Sequence, residues 1–324
     1  MKNTITTYWA KQKATALGLM AIVLLNSAIY VGCSNFNLFS KQDDIALGQQ
    51  VAAEIASNPQ EYPVLNNPTA TAYVQNIVNN ILQSPGIKNR NFNYKVTLIN
   101  DDNTINAFSI PGGPMYVYTG LMKFVDNEAT LAGIMGHEIT HADERHATER
   151  MTTVYGLQIV ASIALGQAPG VLTEVAAGLA GNLAVLKFSR DDEREGDARS
   201  FELLNTIPGK PYYPAAIRYF MIKSLNEQKT RPGALENLLA THPPSQERLD
   251  NVDAMAKAAG LAPPTEANLK SSQWAQLKSN LGSRGVTGGS TTTGGSTTNG
   301  GSTGTGTSTG TGTGKTTTGG GVKR

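Results

Sequence analysis

Cysteine is almost absent: the 324 residues contain one, Cys33, so no disulfide can form within the chain. Histidine is scarce too, with four residues, which makes the clustering of three of them around two short motifs informative. Neither sign of charge dominates, Lys and Arg numbering 27 against 25 Asp and Glu. No basic stripe or aromatic-basic interleaving is present, which argues against nucleic acid as a partner. The Gly112-Gly113 pair is followed by no P-loop lysine and reads as a turn, not a phosphate cradle. Beyond the N-terminus there is no uninterrupted membrane-length apolar run. The Ala- and Gly-rich stretch from Val154 to Phe188 is broken by Gln158, Gln167, Pro169, Glu174 and Asn182. It reads as a helical hairpin, acting as a lid or packed as plain core.

What is present begins with Lys2, Lys11 and Lys13 before an apolar run from Ala14 to Gly32, the n-region and h-region of a secretory signal. The run ends Tyr30-Val31-Gly32-Cys33-Ser34 and resembles a bacterial lipobox, with Tyr30 where Leu is usual. That assigns residues 1–32 to a signal peptide, Cys33 to lipidation and 33–42 to a tether; an uncleaved membrane anchor is the competing reading. Ser34 resembles the residue that sends lipoproteins to the outer membrane. The expected location is the periplasmic face of that membrane, in the bacterial cell envelope.

Helical spacing is expected over Asp43–Asn58 and over Asn67–Leu82, the latter with Pro68 in its first turn. Phe92–Ile99 alternates as a strand, and Met115–Tyr118 forms a second strand after the Pro111–Pro114 turn. Helices return from Phe201 to Leu239. From Gly282 to Gly321 the chain is almost wholly Gly, Thr and Ser, too polar to offset chain entropy by burial. Residues 43–265 are therefore the expected folded domain and 266–324 a low-complexity disordered tail.

Gly136-His137-Glu138-Ile139-Thr140-His141 lies in an apolar-periodic segment from Asp126, a plausible N-cap, to about Arg150. One helix is predicted there. His137 and His141 would share a face one turn apart, with Glu138 beside them, the HExxH arrangement of two zinc ligands and a general base. The metzincin extension is excluded, because Glu144 and Ala147 stand where its Gly and third His would be. On a continuous helix His146 points away from His137, so it reads as a structural partner rather than a ligand. If Phe188–Asp197 opens a second helix, Glu193 and Asp197 share a face, one for the metal and one to orient a ligand histidine.

The segment Ser189–Asp197 resembles the S-R-x-x-E-x-x-A-D element of metallopeptidase family forty-eight, the HtpX, BepA and CAAX prenyl-protease group. Gly196 replaces the usual Ala, a small residue for a small one. Asn106–Leu121 resembles that family's N-A-F-x-x-P-G-G block, and Thr241–Leu249 its T-H-P-P-x-x-x-R-L block. The resemblance implies an α+β, mainly α-helical zincin of the gluzincin type, with a small β-sheet whose edge strand lies by the active site. It also implies one zinc ion per chain held by His137, His141 and Glu193, with Asp197 behind them and Glu138 catalytic.

His242 is then either a stabiliser of the tetrahedral oxyanion or a switch that approaches the metal, and Arg248 serves the oxyanion or braces the site. In zincins an extended substrate pairs with a sheet edge, which makes Met115, Tyr116, Val117 and Tyr118 candidates for substrate binding, with an ordinary core strand the alternative. The implied function is a membrane-anchored zinc endopeptidase acting on cell-envelope proteins in quality control. Its implied partners are protein or peptide substrates and outer-membrane assembly machinery. A peptide-binding chaperone or assembly factor with little proteolysis is the alternative.

Overall fold

One helix, α4, carries the HExxH motif and is buried along its whole length, Glu128–Asp143. Apart from Glu128, His137, Glu138, His141 and Asp143, its residues are apolar or small on every side, the composition of a helix enclosed by others rather than lying on a surface. The structure, a computed structural model, describes residues 37–164, 168–181, 187–230 and 232–281. Cys33, the expected signal peptide and the chain beyond Leu281 lie outside the described residues.

Around α4 the order is α1 (Lys41–Ser57), α2 (Pro68–Ile81), β1 (Val96–Ile99), β2 (Ala107–Ser109), β3 (Met115–Tyr118) and α3 (Thr119–Phe124). After it come α5 (His146–Ala164), α6 (Ala168–Gly181), α7 (Arg190–Thr206), α8 (Ile217–Thr230), a 3-10 turn (Pro232–Leu235), α9 (Glu236–Thr241), α10 (Gln246–Ala258), α11 (Glu266–Leu269) and α12 (Ser271–Leu281). The expected mainly helical α+β architecture is what forms. Among the described residues no helix is long and apolar enough to cross a membrane.

The three strands pair in the order β1-β3-β2, parallel between β1 and β3 and antiparallel between β2 and β3. Side chains alternate across the sheet. Met115 and Val117 enter the cluster that holds α4, whereas Tyr116 and Tyr118 enter a second cluster with Phe39, Leu47, Phe108 and Phe188. Phe108 stacks on Tyr116 across the pair, ring centroids 4.8 Å apart. The turn between β2 and β3 places Gly112 and Gly113 at φ 75° and 105°, which L side chains resist.

Three expectations need correction. The helix over Asp126–Arg150 is two helices: α4 starts at N-cap Asn127, whose side chain accepts from Thr130 N, and Asp126 pairs with Lys223 instead. Arg145, at φ 68°, then breaks the chain between α4 and α5. Met115–Tyr118 is the central strand, bonded on both sides, so it offers no edge to a substrate; the edge strand beside the HExxH helix is β2. Finally, ordered structure passes the boundary expected at 265. Trp274 on α12 is fully buried and donates from Nε1 to Val125 O at 3.0 Å, a large apolar anchor that the weak local pattern concealed.

α6 turns Ala176, Leu179 and Ala180 inward, and Tyr62 Oη donates to Ala180 O at 2.9 Å. At least this part of the predicted hairpin is packed core.

Candidate metal centre

Two helices bring the site together. α4 presents His137 and His141 one turn apart, and α7 packs against it, Ser200 Oγ donating to Gly133 O at 2.7 Å. α7 begins at a capping box: Ser189 Oγ accepts from Asp192 N and the Asp192 carboxylate accepts from Ser189 N, which fixes the start of the helix. Glu193 and Asp197, one turn apart, then both face α4 and are both buried.

The Nε2 atoms of His137 and His141 lie 2.9 Å apart, and each is 3.6 Å from a Glu193 carboxylate oxygen. His242, capping the C-terminus of α9, directs Nδ1 to within 2.8 Å of Glu193 Oε1 and 3.4 Å of His137 Nε2. Ligand atoms from all four residues fall within 4.8 Å of one another, a group able to hold a metal ion. Two buried imidazoles aiming the same nitrogen at one point are satisfied by a shared cation. Nitrogen donors with one carboxylate are the donor set that zinc takes, so these residues fit that ion.

Charge is balanced inside the cluster. Burial alone would raise the Glu193 pKa, but the imidazoles of His242, His141 and His137 hold it far below the ordinary carboxylate value. Burial likewise opposes ionisation of Asp197, and Arg248 and His137 outweigh it. Arg248 Nη1 reaches Glu193 Oε2 at 2.5 Å while its Nε and Nη2 grip Asp197. Of the two roles open to Arg248, bracing is the one the structure displays. Asp197 Oδ1 lies 3.1 Å from His137 Nδ1, behind that ring. Burial pushes the Glu138 pKa up. Its Oε2 accepts from Ser109 N at 3.1 Å, and its main-chain carbonyl accepts from Ser109 Oγ at 2.9 Å.

Four features escaped the sequence reading. Ser109 contacts Glu138 through its backbone N–H and its hydroxyl, a pairing across 29 positions that no local motif reveals. Phe188 stacks on His141 at a 3.9 Å centroid distance and 9° between planes; its place just before the α7 cap was the available signal. His146 meets His141, because the break at Arg145 redirects it. Gly196 is more than a small residue in place of a small one: a Cβ there would lie 2.6 Å from His137 Cε1.

An HExxH helix in a mainly helical α+β fold, with a buried glutamate from a later helix completing the donor set, defines a metallopeptidase of the zincin class. Residues 68–256 match the family model described as peptidase family M48, and the chain belongs to that family. It is 26% identical over 259 residues to the beta-barrel assembly-enhancing protease of Yersinia pestis, covering 76% of this chain and 50% of that protein. Metalloprotease YcaL of Escherichia coli (strain K12) is 30% identical over 164 residues, 49% of this chain and 60% of the relative. Metalloprotease LoiP of the same organism is 29% identical over 174 residues, 52% and 64% respectively. The chain spans about half the length of the beta-barrel assembly-enhancing proteases it matches.

Proposed function

We propose that this chain is a zinc-dependent endopeptidase of the bacterial envelope, held at the outer membrane through lipid on Cys33, that cuts misassembled envelope proteins. The observation that carries the catalytic part is the convergence of His137, His141 and Glu193 with Glu138 beside them. Zinc, when bound, supplies a Lewis acid that brings the acidity of water toward neutrality and polarises a carbonyl. Glu138 acts as general base, taking a proton from attacking water and passing it to the departing amine. Ser109 N–H holds that carboxylate in place.

Substrate is held along β2. In its antiparallel ladder with β3, Ala107 and Ser109 turn their main-chain groups away from β3; Ser109 N is taken by Glu138, which leaves the Ala107 N–H and the Ala107 and Ser109 carbonyls on the outer edge. An extended peptide adds there as a further strand, its main chain supplying the bonds and its sequence little constrained. The envelope setting is supported by the signal-like N-terminus and by similarity to proteases named for β-barrel assembly.

His242 favours a second element of the reading, binding without cutting. With its Nδ1 beside Glu193 and His137, His242 would join the three other residues in holding the ion, and four protein donors would leave a zinc site closed to substrate. Cleavage then requires His242 to withdraw, and until it does the chain acts as a peptide binder.

The test compares envelope proteomes of cells carrying the wild type and Glu138→Gln, with zinc content measured on both purified proteins. Retained zinc with accumulated or trapped envelope proteins is the expected result. Undiminished cleavage by the variant overturns the general-base assignment.

A further inference from the structure

All four histidines of the chain lie in or against the metal centre, and His146 is the one outside the donor set. A straight helix would turn the sixth residue of His141–His146 about 140° from the first, at 3.6 residues per turn. The break at Arg145 cancels that rotation. Its left-handed backbone, unfavourable for a residue with a Cβ, is held by a guanidinium fork onto buried Asp44 and the Phe39 carbonyl. The result is a ring-to-ring contact, His141 Nδ1 to His146 Nδ1 at 2.8 Å.

Proton bookkeeping gives this contact a direction. His141 Nε2 faces the donor set, so it must carry a lone pair and the ring proton must sit on Nδ1. That proton needs an acceptor, and the atom opposite is His146 Nδ1. His146 is then protonated on Nε2, which lies 3.5 Å from Glu195 Oε2. Phe188, stacked flat on His141, leaves the ring no other plane. His137 is served differently, by Asp197 directly and Arg248 behind it.

We propose that His146, backed by Glu195, is a positioning residue that sets the tautomer and aim of His141. A ligand imidazole is ordinarily fixed by a carboxylate or carbonyl on its far nitrogen; here a second imidazole relays that function from a carboxylate at the surface. The inference rests on the zinc reading of the cluster.

The test uses the purified chain with zinc alone, titrated against a chromophoric chelator, and the cobalt-substituted protein, whose visible spectrum reports ligand geometry. His146→Leu is expected to weaken zinc binding about 10- to 100-fold and to shift the cobalt bands. His146→Asn, whose amide oxygen replaces the lost acceptor, should recover most of the affinity and the wild-type spectrum, which a mere packing role for the ring does not predict. Glu195→Ala, at a half-exposed position that puts folding at little risk, should weaken binding less and shift the bands in the same direction. Wild-type affinity and spectrum in His146→Leu overturn the inference while leaving the metal site standing. If His146→Leu does not fold, wild-type behaviour of Glu195→Ala overturns it. A wild-type chain that takes up no zinc removes both this inference and the reading beneath it.

Discussion

Arg248 and Asp197, 51 residues apart, form a two-pronged buried ion pair, Nε to Oδ2 and Nη2 to Oδ1, each at 2.7 Å. The T-H-P-P block is thereby fastened to the α7 carboxylates through the Arg near its end. A planar fork suits a carboxylate in a way that an ammonium does not.

Arg248→Met should accordingly leave the Asp197 carboxylate without its main cationic partner and take the guanidinium away from Glu193. Breaking one side of a buried pair costs about 3–5 kcal/mol, and a loss of that order in urea unfolding is expected. Arg248→Lys should recover only part of it. A midpoint unchanged in the Met variant contradicts the bracing role.

Gly196→Ala installs the residue usual in the family at this position, and in this chain it should do harm. The added Cβ meets His137 Cε1 at 2.6 Å and Nδ1 at 2.7 Å, on a ring whose Nδ1 lies against Asp197. The ring must turn or α7 must retreat. Zinc affinity should fall on the order of tenfold, the scale seen when a ligand's supporting contacts are disturbed. Chelator competition measures it, and equal affinity would falsify the close approach.

His242→Ala opens the donor set to three protein groups. Zinc stoichiometry should remain near one per chain, and hydrolysis of an unfolded protein substrate should rise if His242 is the closing group. Lower hydrolysis assigns it instead to stabilising the reacting oxyanion.

Glu149, on α5, sits apart from the donor set. Burial, with smaller contributions from Asp192 and Glu195, raises its pKa from 4.5 to about 7. A carboxyl with a raised folded-state pKa binds its proton more tightly folded than unfolded. Its stabilising contribution is complete below the unfolded value and disappears as pH climbs through the folded one. Glu149→Gln should therefore leave stability less dependent on pH between about 4.5 and 7 and make the variant the more stable protein above that window. Melting temperatures of both proteins across this range decide it; parallel curves would refute the shift.

Much of the donor set was legible because its members lie one helical turn apart. His137 with His141, and Glu193 with Asp197, are pairs whose shared face follows from 3.6 residues per turn alone. Helix starts were less legible: Asp126 was the expected N-cap and its neighbour Asn127 takes that place, because either side chain could close on a backbone N–H three residues ahead. Trp274 was missed for a different reason. Most residues of α12 are polar, and its burial is completed by a carbonyl 149 residues away.

The sequence by itself determined which chemistry is available: two helix-borne imidazoles, a glutamate beside them, and a later carboxylate pair, each specified by short-range periodicity. Tertiary structure decided how those groups are used. Strand order made Met115–Tyr118 the centre of the sheet and Ala107–Ser109 its edge, because pairing is set by long-range hydrogen bonds that alternation does not encode. The break at Arg145, stabilised by Asp44 from α1, turned His146 toward His141, and packing against α7 brought His242 and Arg248 onto Glu193. Except for His141 and His146, these contacts join residues dozens of positions apart, and only the folded chain brings them within bonding distance.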